Sequence, residues 1–157
     1  MSSLKKNIIY NTIYQVLVII LPLITAPYIA RVLGKNGVGI YSYTHSIANY
    51  FVLFAMLGIS NYGNRSISVK RNNKEEMSKE FWSIYLLQVI TSSICIIFYL
   101  LYVLFLKPKF KIAAIVQIFY VISPLFDISW FFFGIEEFKL TVGRNLIIKI
   151  MSLLLIF

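Results

Sequence analysis

The sequence predicts an all-α protein, a polytopic transmembrane helix bundle with about four full spans and an incomplete fifth. Hydrophobic residues make up 59% of the chain and charged residues only 13%, whereas average soluble chains carry about 25% charge. Its long apolar runs are separated by short clusters of lysine and arginine. A chain with so few polar residues cannot cover a soluble core, so the apolar runs are interpreted as helices that cross a bilayer.

The predicted spans form a single transmembrane helical region over residues 1–157. The first span, 8–30, is longer than the apolar core of a secretory signal, and Pro27 follows its one plausible cleavage point, so we interpret it as an uncleaved helix. Pro22 and Pro27 are expected to bend it. The remaining spans are 38–62, 81–106, 112–133 and an incomplete 141–157.

A short glycine-rich connector, Ala30 to Tyr41, joins the first two spans. It is too short for more than a tight turn, so the two spans are expected to be antiparallel neighbours. As a helix, 38–62 would be about 37 Å long, enough to cross a hydrocarbon core of about 30 Å with some tilt.

The longest hydrophilic stretch, 63–80, is predicted to be a cytoplasmic loop that contains an amphipathic segment at the membrane interface. Within it, residues 72–76 (Asn-Asn-Lys-Glu-Glu) predict a turn followed by a helix start. With the N-terminus inside, nine cations fall on the inner side and five on the outer, which favours a cytoplasmic N-terminus. The last apolar stretch is interrupted by Arg144 and Lys149, so we expect this chain to be the front part of a longer protein.

Each full span carries polar side chains on one helical stripe. The stripes are Asn7, Asn11 and Gln15; Tyr41, His45 and Asn49; Gln88, Thr91, Ser92 and Cys95; and Gln117, Tyr120, Pro124 and Asp127. Helical spacing places each set on one face. Such stripes either form polar contacts between packed helices or line a hydrated cavity.

Three titratable residues within the spans have two interpretations each. His45 is either a neutral, hydrogen-bonded side chain or part of a proton relay. Asp127 either caps or pairs near the interface or has a transport role, since an acid within a span costs about 2.5–3.5 kcal/mol on insertion scales. Lys149 either extends to the interface, pairs with Asp127 or binds substrate.

Other function classes are disfavoured. The cations lie between apolar runs rather than on one face with aromatic residues, which argues against nucleic-acid binding. One histidine, one cysteine (Cys95) and no acid pair within a span give no catalytic set, no metal site and no cofactor site, so the protein is not expected to be an enzyme. Gly34, Gly37 and Gly39 do not match a phosphate-binding loop.

Three segments give the chain a resemblance to a known family. They are Ala30–Ser42 (ARVLGKNGVGIYS), Tyr50–Arg65 (YFVLFAMLGISNYGNR) and Asp127–Phe138 (DISWFFFGIEEF). With these segments, the chain resembles the polysaccharide-transporter branch of flippases, which includes O-antigen and capsule repeat-unit flippases, in the multidrug, oligosaccharidyl-lipid and polysaccharide exporter superfamily. The resemblance covers the front part of such a protein.

The resemblance implies part of one lobe of a two-lobed flippase in a bacterial inner membrane. Such a protein would move undecaprenyl-pyrophosphate-linked oligosaccharide by alternating access, with membrane lipids, a polysaccharide polymerase and glycosyltransferases as partners. Two alternatives stay open: a cation-coupled small-molecule exporter and a non-transporting scaffold of a polysaccharide-assembly complex. The candidate substrate-binding cations are Arg31, Lys35, Arg65, Arg144 and Lys149; the candidate cavity-lining or coupling residues are Asn11, Gln15, His45, Asn49, Gln88 and Asp127.

Overall fold

A computed structural model describes residues 2–105 and 109–156, with the side chains of most residues before Leu23 and of 138–141, 152–153 and 155–156 outside that description. The described part of the chain is helical between short turns and contains no strand, which confirms the all-α prediction. The helices are α1 (Ser2–Met56), α2 (Ile59–Lys70), α3 (Lys74–Phe105), α4 (Lys111–Val116), α5 (Ile118–Ile122), a 3₁₀ turn (Ser123–Phe126), α6 (Ser129–Gly134) and α7 (Phe138–Ile156).

These helices belong to two compact units. One is built from the two ends of the chain, up to Val38 and from Glu136, and the other comprises Gly39–Ile135. Helix α1 enters both units and is interrupted at Gly34, whose φ of 63° and ψ of 177° are not helical. A positive φ costs glycine little. Where the sequence predicts a connector between the first two spans, the structure has a single non-helical residue, Gly34, within α1. The antiparallel arrangement of the two spans stays a prediction.

The predicted second span and the loop after it have different boundaries in the structure. Helix α1 ends at Met56 rather than continuing to 62, because Gly58 has a φ of 80° and stops the helix. Most of the predicted loop 63–80 is helical: α2 extends to Lys70, and α3 begins at Lys74. The turn and helix start at 72–76 are confirmed, since the Asn73 Oδ1 accepts the backbone N–H of Glu75 at 3.1 Å.

The predicted fourth span is interrupted twice. Helix α4 ends at Val116 and α5 begins at Ile118, which leaves Gln117 at their junction. Beyond α5, the 3₁₀ turn contains Pro124 and ends at Phe126, and the backbone of the next residue, Asp127, is extended. Proline lacks an N–H and cannot continue an α-helix without a break. The stretch is therefore a series of short helices.

Two helical stretches of the described chain are long and apolar enough to cross a membrane: Lys74–Phe105 and Lys111–Gly134. In each, only 22% of the most apolar 18-residue segment is buried within the chain. The large apolar side chains that remain exposed need an apolar environment, and a bilayer or further transmembrane helices would supply it. Helix α3 is central to its unit, with α2, α4, α5 and the 3₁₀ turn packed against it.

Two clusters of buried side chains hold the Gly39–Ile135 unit together. In the first, Ala48 of α1 and Tyr99 of α3 pack with residues of α4 and α5. In the second, Trp130 of α6 packs against Ile67 of α2 and against α3. A Cβ added at Gly63 would lie 2.5 Å from the Trp130 ring, so α2 and α6 approach closely only because residue 63 has no side chain.

Candidate functional site

Five residues from two parts of the chain form a group that extends from the exposed Tyr41 to the buried Gln117. We call it the aromatic–amide cluster: Tyr41, His45, Asn49, Gln117 and Tyr120. The His45 Nδ1 lies 3.4 Å from the Gln117 Oε1, and the Tyr120 hydroxyl donates to the Asn49 Oδ1 at 2.9 Å. The His45 ring stacks on Tyr41 at 5.3 Å between centroids and lies 4.6 Å from the Tyr120 ring. The predicted stripes of the second and fourth spans therefore face each other.

The local structure explains this meeting. Tyr41, His45 and Asn49 are four residues apart on α1 and so share one face. Gln117 stands at the junction of α4 and α5, and its carbonyl accepts the backbone N–H groups of both Tyr120 and Val121. The cluster brings together two of the predicted site residues, His45 and Asn49. Tyr41, Gln117 and Tyr120 were not predicted as site residues, although their stripes on the second and fourth spans were the signal that could have identified them.

Gln88 is in a different environment, with 0% of its surface exposed. Its Nε2 donates to the carbonyls of Pro124 at 2.5 Å and Asp127 at 3.0 Å. Its Oε1 accepts the indole N–H of Trp130 at 2.8 Å. Since both amide hydrogens and the amide oxygen are used within the protein, this arrangement favours the interpretation of Gln88 as a packing contact between helices.

Asp127 has a local partner. One carboxylate oxygen accepts the backbone N–H of Ser129 at 3.0 Å and also the Ser129 hydroxyl. These bonds satisfy groups at the beginning of α6, where no backbone carbonyl is available to do so. The geometry favours the capping interpretation of Asp127, and Gln88 and Asp127 are brought together through the Asp127 carbonyl.

The candidate cations lie in several places. Arg31 and Lys35 are exposed on α1 on either side of Gly34. Arg144 is exposed and donates to the Asn145 Oδ1 at 3.2 and 3.3 Å, and Lys149 is half-buried. The side chains of Asn11 and Gln15 lie outside the described residues.

Arg65 lines a cavity of about 250 Å³ on α2, together with Tyr62, Ser66, Val69 and Lys70. Next to this cavity, the Glu80 carboxylate accepts hydrogen bonds from Lys70 and Ser66, both at 2.6 Å, and from Tyr62 at 3.4 Å. The hydrogen bond to Glu80 raises the pKa of the Lys70 ammonium above its ordinary value of 10.5. Three side chains of one α2 face thus attach α2 to α3.

Comparison with known proteins gives the chain its family. It is 28% identical over 139 residues, 87% of its length, to an Escherichia coli (strain K12) protein named "Putative O-antigen transporter". The chain spans about a third (34%) of the length of this curated relative. No solved structure matches it. The family model described as "Polysaccharide biosynthesis protein" matches residues 4–157, and the chain therefore belongs to that family.

Proposed function

We propose that the protein is a flippase for lipid-linked oligosaccharide. It moves undecaprenyl-pyrophosphate-linked repeat units from the inner to the outer leaflet of a bacterial inner membrane by alternating access. The observation that carries the proposal is the family match over residues 4–157. The name of the Escherichia coli relative, an O-antigen transporter, supports transport rather than enzymatic chemistry.

The chemistry of the substrate explains which groups such a protein needs. A saccharide head carries many hydroxyl groups, a pyrophosphate carries negative charge, and a polyprenyl tail can stay in lipid. The aromatic–amide cluster supplies hydrogen-bonding groups between apolar helices. Arg31, Lys35, Arg65, Arg144 and Lys149 are the proposed cations for the pyrophosphate, since arginine binds phosphate through two parallel hydrogen bonds and lysine as a point charge.

Arg65 is the best placed of these cations on the structure described. It borders the α2 cavity, and the nearby carboxylates of Glu80 and Glu75 pair with Lys70 and Lys79 instead. Its neighbour Lys70 is already paired with Glu80. With the N-terminus in the cytoplasm, as the distribution of cations favours, the cavity would face the leaflet on which lipid-linked repeat units are made.

The proposal is tested by deleting the gene in the source organism. We expect surface polysaccharide to be lost and lipid-linked repeat units to accumulate in the inner leaflet, where an impermeant lectin cannot reach them in spheroplasts. Repeat units that reach the lectin but stay unpolymerised would instead support the scaffold alternative. Normal polysaccharide with increased drug sensitivity would support the exporter alternative. Either result contradicts the flippase proposal.

The role of the cavity is tested by complementing the deletion with Arg65→Gln. We expect reduced export from a protein present at normal levels in the membrane. Lys79→Gln is the matched control, because it also removes one positive charge, from an exposed lysine near the beginning of α3 that pairs with Glu75 at 2.8 Å and does not line the cavity. Equal export by the two variants would remove Arg65 from the site.

A further inference from the structure

We infer that the aromatic–amide cluster is the place where the protein contacts the sugar rings of its substrate, rather than the pyrophosphate or the polyprenyl chain. This inference rests on the proposed function and adds which part of the substrate is recognised where. It begins from the chemical composition of the cluster, which contains two amides, two phenols and one imidazole. None of these groups carries a permanent charge, which suits a neutral polyhydroxylated ligand better than an anion.

The cluster keeps hydrogen-bonding capacity that its internal contacts do not use. The Asn49 Oδ1 and the Gln117 Oε1 are engaged by Tyr120 and His45, but the structure assigns no partner to the amide nitrogen of either residue. Asn49 is half-buried, and its amide nitrogen offers hydrogen atoms to a hydroxyl oxygen. Gln117 is buried, with 8% of its surface exposed, and its part in the cluster is the contact with His45.

The aromatic rings supply the second requirement for sugar recognition. Tyr41 and His45 are stacked with only 9° between their planes, and 54% of the Tyr41 surface is exposed. The C–H face of a pyranose is apolar and packs against such rings, while its equatorial hydroxyls extend sideways toward amides. If the His45 proton is on Nδ1, facing the Gln117 oxygen, its Nε2 can accept from a sugar hydroxyl.

The opposite face of the same helix shows what distinguishes the cluster. Tyr50 lies nine residues after Tyr41, about 180° around the helix, and 63% of its surface is exposed. It has no aromatic or hydrogen-bonding partner among the described residues. An exposed tyrosine alone is ordinary for a membrane helix, whereas one stacked on the His45 ring, in the same cluster as the half-buried Asn49 amide, is suited to a saccharide. Tyr50 is thus a matched control for Tyr41.

The experiment compares two probes on the purified full-length protein: the lipid-linked repeat unit extracted from the deletion strain, and undecaprenyl pyrophosphate, which has no sugar. We expect wild type to bind the glycosylated lipid more tightly. Tyr41→Leu and Asn49→Leu should each lower that affinity about tenfold, with less than a twofold change for undecaprenyl pyrophosphate. Tyr50→Leu should change neither affinity. Tyr120→Phe removes the internal bond to Asn49 but keeps the open amide, so it should have less effect than Asn49→Leu.

The outcomes separate the inference from the proposed function. If wild type binds both lipids equally, or if Tyr41→Leu and Tyr50→Leu behave alike, the inference is overturned while the flippase function stands. If Asn49→Leu and Tyr120→Phe each lower the affinity for both lipids to the same extent, and each also lowers the unfolding temperature, the cluster is a packing contact and the inference is wrong. If wild type binds neither lipid, the proposed function fails and the inference fails with it.

Discussion

Substitution of Gln88 by leucine distinguishes a structural side chain from one that lines a transport cavity. Leucine has similar size but cannot bond to the carbonyls of Pro124 and Asp127 or to the Trp130 indole. The Pro124 carbonyl keeps a second donor, the backbone N–H of Asp127 at 3.4 Å. The Asp127 carbonyl and the indole N–H have no other partner among the described residues.

The expected loss in free energy of unfolding follows from these two groups, which would be left without a hydrogen-bond partner. Interhelical hydrogen bonds in a membrane protein contribute about 0.6 kcal/mol on average and at most about 1.7. Loss of two should lower the free energy of unfolding by about 1–3 kcal/mol, measured for the full-length protein by unfolding in mixed detergent and SDS micelles. Export should fall only as far as the amount of folded protein falls.

Ser92→Ala is the matched control for this experiment. Ser92 is as buried as Gln88 on the same helix, and its hydroxyl has no hydrogen-bond partner in the described structure. Its removal should leave the free energy of unfolding within about 0.5 kcal/mol of wild type or raise it, since an unsatisfied buried hydroxyl is costly. A Gln88→Leu protein with normal stability and no export would refute the reasoning and restore the cavity-lining role that the sequence predicts.

Three further predictions concern the same unit. Gly63→Ala should lower the free energy of unfolding by about 1–3 kcal/mol, because its Cβ would overlap the Trp130 indole. Gly39→Ala is the control: nothing lies within 4 Å of its Cβ, so it should be neutral or slightly stabilising. Equal effects of the two substitutions would contradict this account. The raised pKa of Lys70 means that its bond to Glu80 stabilises the fold fully below its ordinary pKa of 10.5 and is lost as pH rises through the raised value. Wild type should therefore lose more thermal stability than Lys70→Met as the pH rises above 10.5, and parallel curves of the two proteins would exclude the contribution. Asp127→Asn keeps the capping oxygen and should retain stability and export, whereas Asp127→Ala should cost about 1 kcal/mol; loss of export in the asparagine variant would indicate ion coupling instead.

Helical periodicity in the sequence predicted which side chains would share a face. The four-residue spacing of Tyr41, His45 and Asn49 holds in α1 because no break falls between them. The same rule placed Gln117 and Tyr120 together on the fourth span. The contact between the two stripes could not be predicted, since it depends on how α1 packs against α4 and α5, which periodicity within one helix does not encode.

The boundaries of α1 and α2 depend on features that the sequence pattern does not show. The charges after Gly63 indicated a loop with an amphipathic segment, and in the structure Ile59, Gly63 and Ile67, four residues apart and all buried, form the packed face of helix α2. The exposed charges are simply the other face of that helix. Gly58 was inside the predicted span, and an apolar run does not reveal that its glycine has a positive φ.

The two interruptions of the fourth span differ in how their polar groups are satisfied. At the break around Pro124, the Gln88 amide donates hydrogen bonds to the carbonyls of Pro124 and Asp127, so these groups are satisfied within the protein. At Gln117 the backbone bonds continue, and the side-chain amide keeps a nitrogen without a partner. The first break therefore contributes to the packing of the fold, whereas Gln117 contacts His45 in the cluster that we propose contacts the sugar. Substitutions at the first break should therefore change stability before transport, and substitutions at Tyr41 and Asn49 should change substrate affinity before stability.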